Sequence, residues 1–177
     1  SALYYEIPEN EAALIVNGYH LAYPGVAQYH ESIRTQLGKD RTLTNLFGRK
    51  RLFLGRWGDD LFKEAYSWNP QSSIADKINH HGVLFVYDNA ECPEVELLNQ
   101  VHDSVVFQIP KPTPVEKTWR FLQALNASLT QPLTWKGRTF SIPADFSVGP
   151  TLKKQTKLNL KDINSLREAQ TCGKATN

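Results

Sequence analysis

The most informative stretch for chemistry is Asn99 to Ile109, NQVHDSVVFQI, where β-branched residues flank the polar trio His102-Asp103-Ser104. It reads as a strand, a tight turn and a second strand. A carboxylate at the tip of such a hairpin suits metal chemistry, because paired strands hold the backbone still while Asp103 projects into a cleft. The plainer reading is a turn. Asp, Ser and His satisfy their own backbone in turns, and the trio alone is more often that than a site. Two features favour chemistry: the apolar character of both strands, as expected for a buried sheet, and a long helix earlier in the chain that contains Gln71-Ser72-Ser73-Ile74-Ala75-Asp76. Elsewhere the signals are weak. His80 and His81 are adjacent and diverge on a helix, so no histidine pair has ligand spacing.

The elements that must position the trio follow from periodicity and breakers. From Pro8 to about Leu37, apolar residues recur at helical spacing, interrupted at Tyr23-Pro24-Gly25, which predicts two helices. Residues 42–47 and 51–54 are β-prone around Gly48-Arg49-Lys50, predicting a hairpin with a basic turn. A Gly-rich loop, Gly55 to Gly58, leads into a helix from Leu61 to about His80 that contains Pro70 and ends at Gly82. Val83 to Tyr87 fits helix or strand and is assigned to helix. After the hairpin, Pro110, Pro112 and Pro114 precede an amphipathic helix from Val115 to Leu129. Leu133 to Trp135 and Ser141 to Val148 are read as strands around Lys136-Gly137-Arg138. Beyond Gly149-Pro150 the chain turns polar and lysine-rich, with only a short amphipathic stretch from Leu160 to Ala169, and is assigned to a tail, 151–177.

Composition narrows the classes. The chain is 41% hydrophobic, enough for one compact domain, and its 20 Lys and Arg against 18 Asp and Glu leave a net charge of +2. That balance neither announces nor excludes a nucleic-acid partner. Cys92 and Cys172 are far apart and outside any CxxC cluster, which argues against a disulfide framework or a zinc site and for a reduced, cytoplasmic setting. No apolar run approaches the ~20 residues needed to span a bilayer, and no membrane partner is expected.

Read in order, the landmarks resemble family A DNA polymerases, the relatives of bacterial DNA polymerase I. QVHDSVVFQ, Gln100 to Gln108, is similar to motif C, which usually reads His-Asp-Glu between two strands. IPENEAALIVNGYHLAYPGV, Ile7 to Val26, is similar to the segment after the fingers O-helix. FGRKR, Phe47 to Arg51, looks like the family's GRR turn. NPQSSIAD, Asn69 to Asp76, looks like the helix that approaches primer-template DNA, in the form found in phage-type members. SIPADFSVG, Ser141 to Gly149, resembles the final palm strand. These landmarks cover Ile7 to about Gly149.

The resemblance implies an α+β fold, an antiparallel palm-type sheet with helices. It assigns 1–60 to the end of the fingers, 61–150 to the palm and 151–177 to the tail. Asp103 would be one of two aspartates holding two Mg²⁺ ions, with His102 near the primer terminus. Gln71 would enter the minor groove of the nascent duplex. Lys63 falls near the family's usual arginine and Ser67 near its usual asparagine, both toward DNA. Arg49 and Arg51 are assigned phosphate contacts, beside the equally plain reading of a solvated charged turn.

The departures are Ser104, where the family has glutamate, and the lack of any counterpart to motif A, with the second aspartate, or motif B, which holds the incoming dNTP. No nucleotide-binding residue is therefore expected in this chain. The expectation is the C-terminal part of a split polymerase, completed by an N-terminal chain that carries motifs A and B. Intein excision and cleavage of a longer chain are alternative origins for the start at Ser1. The rival functions are a non-catalytic nucleic-acid-binding or assembly module on a palm fold and, last, a metal-dependent hydrolase using His102 and Asp103.

Overall fold

The computed structural model describes residues 7–89 and 92–172, which divide into two compact units, 1–71 and 72–177. The fold is α+β, and among the described residues the strands form four separate antiparallel hairpins. No helix among the described residues is long and apolar enough to cross a membrane.

The first unit begins with α1 (Glu9–Ala22) and α2 (Pro24–Asp40). Glu9 and Glu11 lie in the first turn of α1, where carboxylates meet the positive end of the helix dipole. The break between the helices is the one expected. Tyr23 is held off helical geometry by the following ring, and Pro24 opens α2, where its missing N–H costs nothing. Arg41 closes α2 in the left-handed region (φ 56°), donating its backbone N–H to Leu37 O at 2.9 Å. Strands β1 (Thr42–Thr44) and β2 (Lys50–Leu52) follow, joined by a loop built on buried Asn45. Its Oδ1 accepts the N–H groups of Phe47 (3.0 Å) and Arg49 (2.9 Å), and Gly48 supplies the positive φ of 83°. Ile33, Leu37, Leu43, Phe53, Leu61, Phe62 and Ala65 form the core.

Helix α3 (Asp59–Ile78) carries Pro70 in its interior. Proline at this position removes the donor that would reach the carbonyl of Tyr66, four residues back. A donor arrives from elsewhere in the unit. The Tyr29 hydroxyl donates to Tyr66 O at 2.9 Å, across 37 residues of sequence, so the helix continues with that carbonyl satisfied.

Gly82 does not end the helix, as sequence reading had it. The chain widens into a π-helical turn (Asn79–Val83) and continues as α4 (Leu84–Tyr87). Helix is thus correct for 83–87. A Cβ on Gly82 would lie 3.1 Å from Val105 Cγ2 and 3.2 Å from Leu129 Cδ2, so glycine here permits close packing rather than a stop.

The second unit contains the hairpin β3 (Glu96–Val101) and β4 (Ser104–Gln108), then α5 (Val115–Leu129). Its core joins Val86, Cys92, Val95, Phe121, Leu122 and Leu125 to Phe146, Leu158, Leu166 and Ala169. The last three correct the expected tail. Residues 147–157 form a further hairpin, β7 (Ser147–Thr151) with β8 (Lys154–Lys157), and α6 (Ile163–Cys172) follows it. Leu166 and Ala169 lie three apart and face the core together, a short apolar stripe that outweighs the lysines around it. A second correction concerns residues 141–148. The strand paired with β5 (Leu133–Trp135) is β6 (Arg138–Phe140), and the chain from Ser141 to Phe146, which includes Pro143, forms no strand.

Candidate active site

His102 and Asp103 form the two-residue connection between β3 and β4, whose last pair is Val101 with Ser104. His102 takes a left-handed φ of 52°, uncommon for a residue with a side chain. The tip is solvent-exposed. The Asp103 carboxylate makes no hydrogen bond or ion pair with any described residue, leaving both oxygens open to an external ligand. The Ser104 hydroxyl is committed: Oγ donates to Val101 O at 2.8 Å and closes the turn from within.

The stem is anchored. Val105, two residues from Asp103, packs against Gly82 in the π-turn, and the Phe107 ring meets Phe121 of α5 edge-on at 5.5 Å. Just before β3, Glu94 pairs with Lys117 of α5 at 2.6 Å, and that hydrogen bond holds its carboxyl below the usual range. The hairpin is less buried than its composition predicts. β4 is half-buried over Val105 to Phe107, whereas most of β3 is exposed, including Leu98 and Val101. A two-stranded ribbon presents one face to α4 and α5, and within this chain nothing described covers the other. A bulge between Leu97 and Asn99 shifts the register along the stem.

The expected DNA-contacting residues lie in the first unit. Lys63, Ser67 and Gln71 recur every fourth residue along α3, so they share one exposed face, while Leu61, Phe62, Ala65 and Asn69 are buried. Lys63 lies 3.8 Å from Asp60, and Ser67 Oγ donates to Glu64 O at 3.1 Å. Of the basic turn, Arg49 is exposed. Arg51 is engaged inside the unit, ion-paired with Glu64 and stacked 4.8 Å over the Phe53 ring. Sequence reading gave no role to Tyr29 and took Gly82 for a helix stop; the mid-helix proline, with its stranded carbonyl, hinted that a distant donor was needed.

As a metal site the hairpin supplies one carboxylate. Among the described residues no group of three or more His, Cys, Asp or Glu is placed to hold an ion. An exposed, unpaired carboxylate fits one ligand of a hard, oxygen-coordinated cation such as Mg²⁺; the remaining ligands would come from outside these residues.

A stem-anchored hairpin with an exposed aspartate at its turn is what the motif C resemblance leads one to expect. DNA polymerase family A matches residues 2–148, and the chain belongs to that family. DNA polymerase I of Geobacillus stearothermophilus is 28% identical over 152 residues, which cover 82% of this chain and 17% of that protein. DNA polymerase I of Helicobacter pylori strain J99 is 28% identical over 125 residues, covering 68% of this chain and 14% of that one. The chain thus spans less than a fifth of the length of these relatives. The fold resembles the POL domain of Pol1 from M. smegmatis, solved in complex with DNA primer-template and dNTP, with a TM-score of 0.63 at 22% identity over 75% of this chain and 24% of that one.

Proposed function

We propose that this chain is the motif C portion of a DNA-directed DNA polymerase that adds dNMPs to a primer 3′-OH. The observation that carries the reading is Asp103, unpaired and exposed at the tip of an anchored hairpin, in a chain that belongs to family A. On this reading the chain joins the end of the fingers (1–60) to the palm (61–150). Asp103 holds Mg²⁺ jointly with an aspartate outside these 177 residues. Mg²⁺, when bound, supplies the charge that activates the primer 3′-OH and steadies the leaving pyrophosphate. His102 lies beside the primer end. Gln71 reads the minor-groove acceptors that every correct pair presents, with Lys63 and Ser67 on the same helix face. Arg49 and Arg51 meet phosphate, the latter after leaving Glu64. The segment with motifs A and B supplies the dNTP site, whether it is a separate chain, as in a split phage-type polymerase, or part of the same polypeptide. The work takes place inside the cell, at replicating DNA.

The test is primer extension by this chain assembled with a segment that carries motifs A and B. Asp103→Ala is expected to lower the rate by at least about a hundredfold, since a metal carboxylate contributes several kcal/mol of transition-state stabilisation. Extension at an unchanged rate sinks the assignment. One observation favours a non-catalytic nucleic-acid-binding or assembly module instead. Ser104 replaces the family's glutamate, and its hydroxyl donates to Val101, so the missing carboxylate has no substitute there. That module would bind primer-template equally well before and after the Asp103→Ala substitution.

A further inference from the structure

The hairpin of β7 and β8, which the polymerase reading leaves unused, is a basic ribbon. Seven consecutive residues, 151–157, are exposed, with Leu152, Lys153 and Lys154 at the tip. Lys157 is paired with Asp145 at 3.0 Å. Lys153 and Lys154 have no ion-pair or hydrogen-bonded side-chain partner among the described residues, and Lys161 just beyond is likewise exposed.

The backbone of the ribbon is nevertheless tightly constrained. Its register shifts between Val148 and Thr151, and a Cβ on Gly149 would fall 1.8 Å from Lys154 O, so the strands approach in a way only glycine permits. The base is fixed on both sides. Leu158 N–H donates to Phe146 O at 2.8 Å, and Phe146, Leu158 and Leu166 enter the core. A two-stranded ribbon is marginal without such support. Here it holds a pair of free ammonium groups at the end of a fixed arm. The ribbon also lies almost wholly beyond residue 148, where the match to the family ends.

We propose that this ribbon is a clamp on the sugar-phosphate backbone of duplex DNA, with Lys153 and Lys154 each meeting a phosphate. The proposal rests on the polymerase reading for the identity of the polyanion. Charge carries the choice of ligand: two unpaired ammonium groups on an exposed arm match a row of phosphates. Lysines on a ribbon also block edge-to-edge strand pairing, and salt dependence separates the two roles.

The test is fluorescence anisotropy of a labelled primer-template duplex with the 177-residue chain, titrated across KCl concentrations. The double variant K153Q/K154Q is expected to bind at least about tenfold more weakly near 0.1 M salt. The slope of log K against log salt should fall in magnitude by about 2, near one per phosphate contact, and K153R/K154R should restore both. An unchanged slope in K153Q/K154Q overturns the clamp, as does a wild-type chain that does not bind duplex. Polyglutamate that binds as tightly as duplex also overturns it and points to an acidic protein instead. Asp103→Ala in primer extension reports separately on the polymerase reading, because that residue is not on the ribbon. Loss of extension with an unchanged K153Q/K154Q slope condemns the clamp alone.

Discussion

Tyr29→Phe is the sharpest probe of how α3 tolerates its proline. The substitution removes one oxygen and leaves the ring in place, so the loss is the hydrogen bond from the hydroxyl to Tyr66 O at 2.9 Å. That carbonyl has no helical donor, because Pro70 has no N–H. Leaving a partly buried acceptor unsatisfied costs about 1–3 kcal/mol, and the half-burial of Tyr29 favours the lower part of that range, about 1.5 kcal/mol. Pro70→Ala returns the missing N–H. In that background the same substitution is expected to cost about 0.5 kcal/mol, which gives a coupling of about 1 kcal/mol in the double-mutant cycle. Urea denaturation followed by tryptophan fluorescence measures all four proteins, since Trp57 and Trp68 report on this unit. A pH series adds a second reading. Burial raises the Tyr29 pKa above its ordinary value of 10.0, so its contribution is complete below pH 10 and is lost as the pH rises through the folded value. Tyr29→Phe should remove that part of the alkaline loss. A cost that is the same with proline or alanine at position 70, to within about 0.3 kcal/mol, refutes the account.

Two further substitutions test the C-terminal region. Leu166→Ala truncates a side chain that is 1% exposed and should destabilise the chain by about 2–5 kcal/mol in denaturant melts; a loss below about 0.5 kcal/mol means α6 is not part of the core. Gly149→Ala sets a methyl against Lys154 O and is expected to cost about 1–3 kcal/mol, with hydrogen-exchange protection lost first in β7 and β8; full protection contradicts the described approach of the two strands.

Much of the arrangement was legible wherever a local rule had a single answer. Tyr23-Pro24 separates two helices because the proline ring pushes Tyr23 off helical geometry and itself suits a first helical position, and Val115 to Leu129 is helical with Phe121, Leu122 and Leu125 inward, as its periodicity requires. A turn within the polar trio His102-Asp103-Ser104 followed from the β-branched residues around it, and Ser104 proved to open the second strand. What failed depended on distant partners. Residues 151–172 looked like a tail because their lysines dominate the composition, while their fold depends on three core positions, Leu158, Leu166 and Ala169. β3 was expected to be buried because it is apolar, yet burial needs a covering surface, and strand composition does not say whether this chain provides one. Asp103 was legible as a candidate ligand, but its companions were not, since the described residues offer no cluster around it.

The π-turn at Asn79–Val83 bears on how this sequence can be compared with others. Such a turn is a one-residue insertion in the helical count, accommodated without a loop. The helical residues after it are rotated by about 100° from the phase of the turns before it, the angle of one residue in an α-helix. Val86, 2% exposed, lies just beyond the turn and enters the core of the second unit. In a relative that is one residue shorter here, an alignment can match letter for letter on both sides of the gap while the straight helix beneath carries its own phase. Inside that turn Gly82 leaves room for Val105 of the hairpin that bears Asp103.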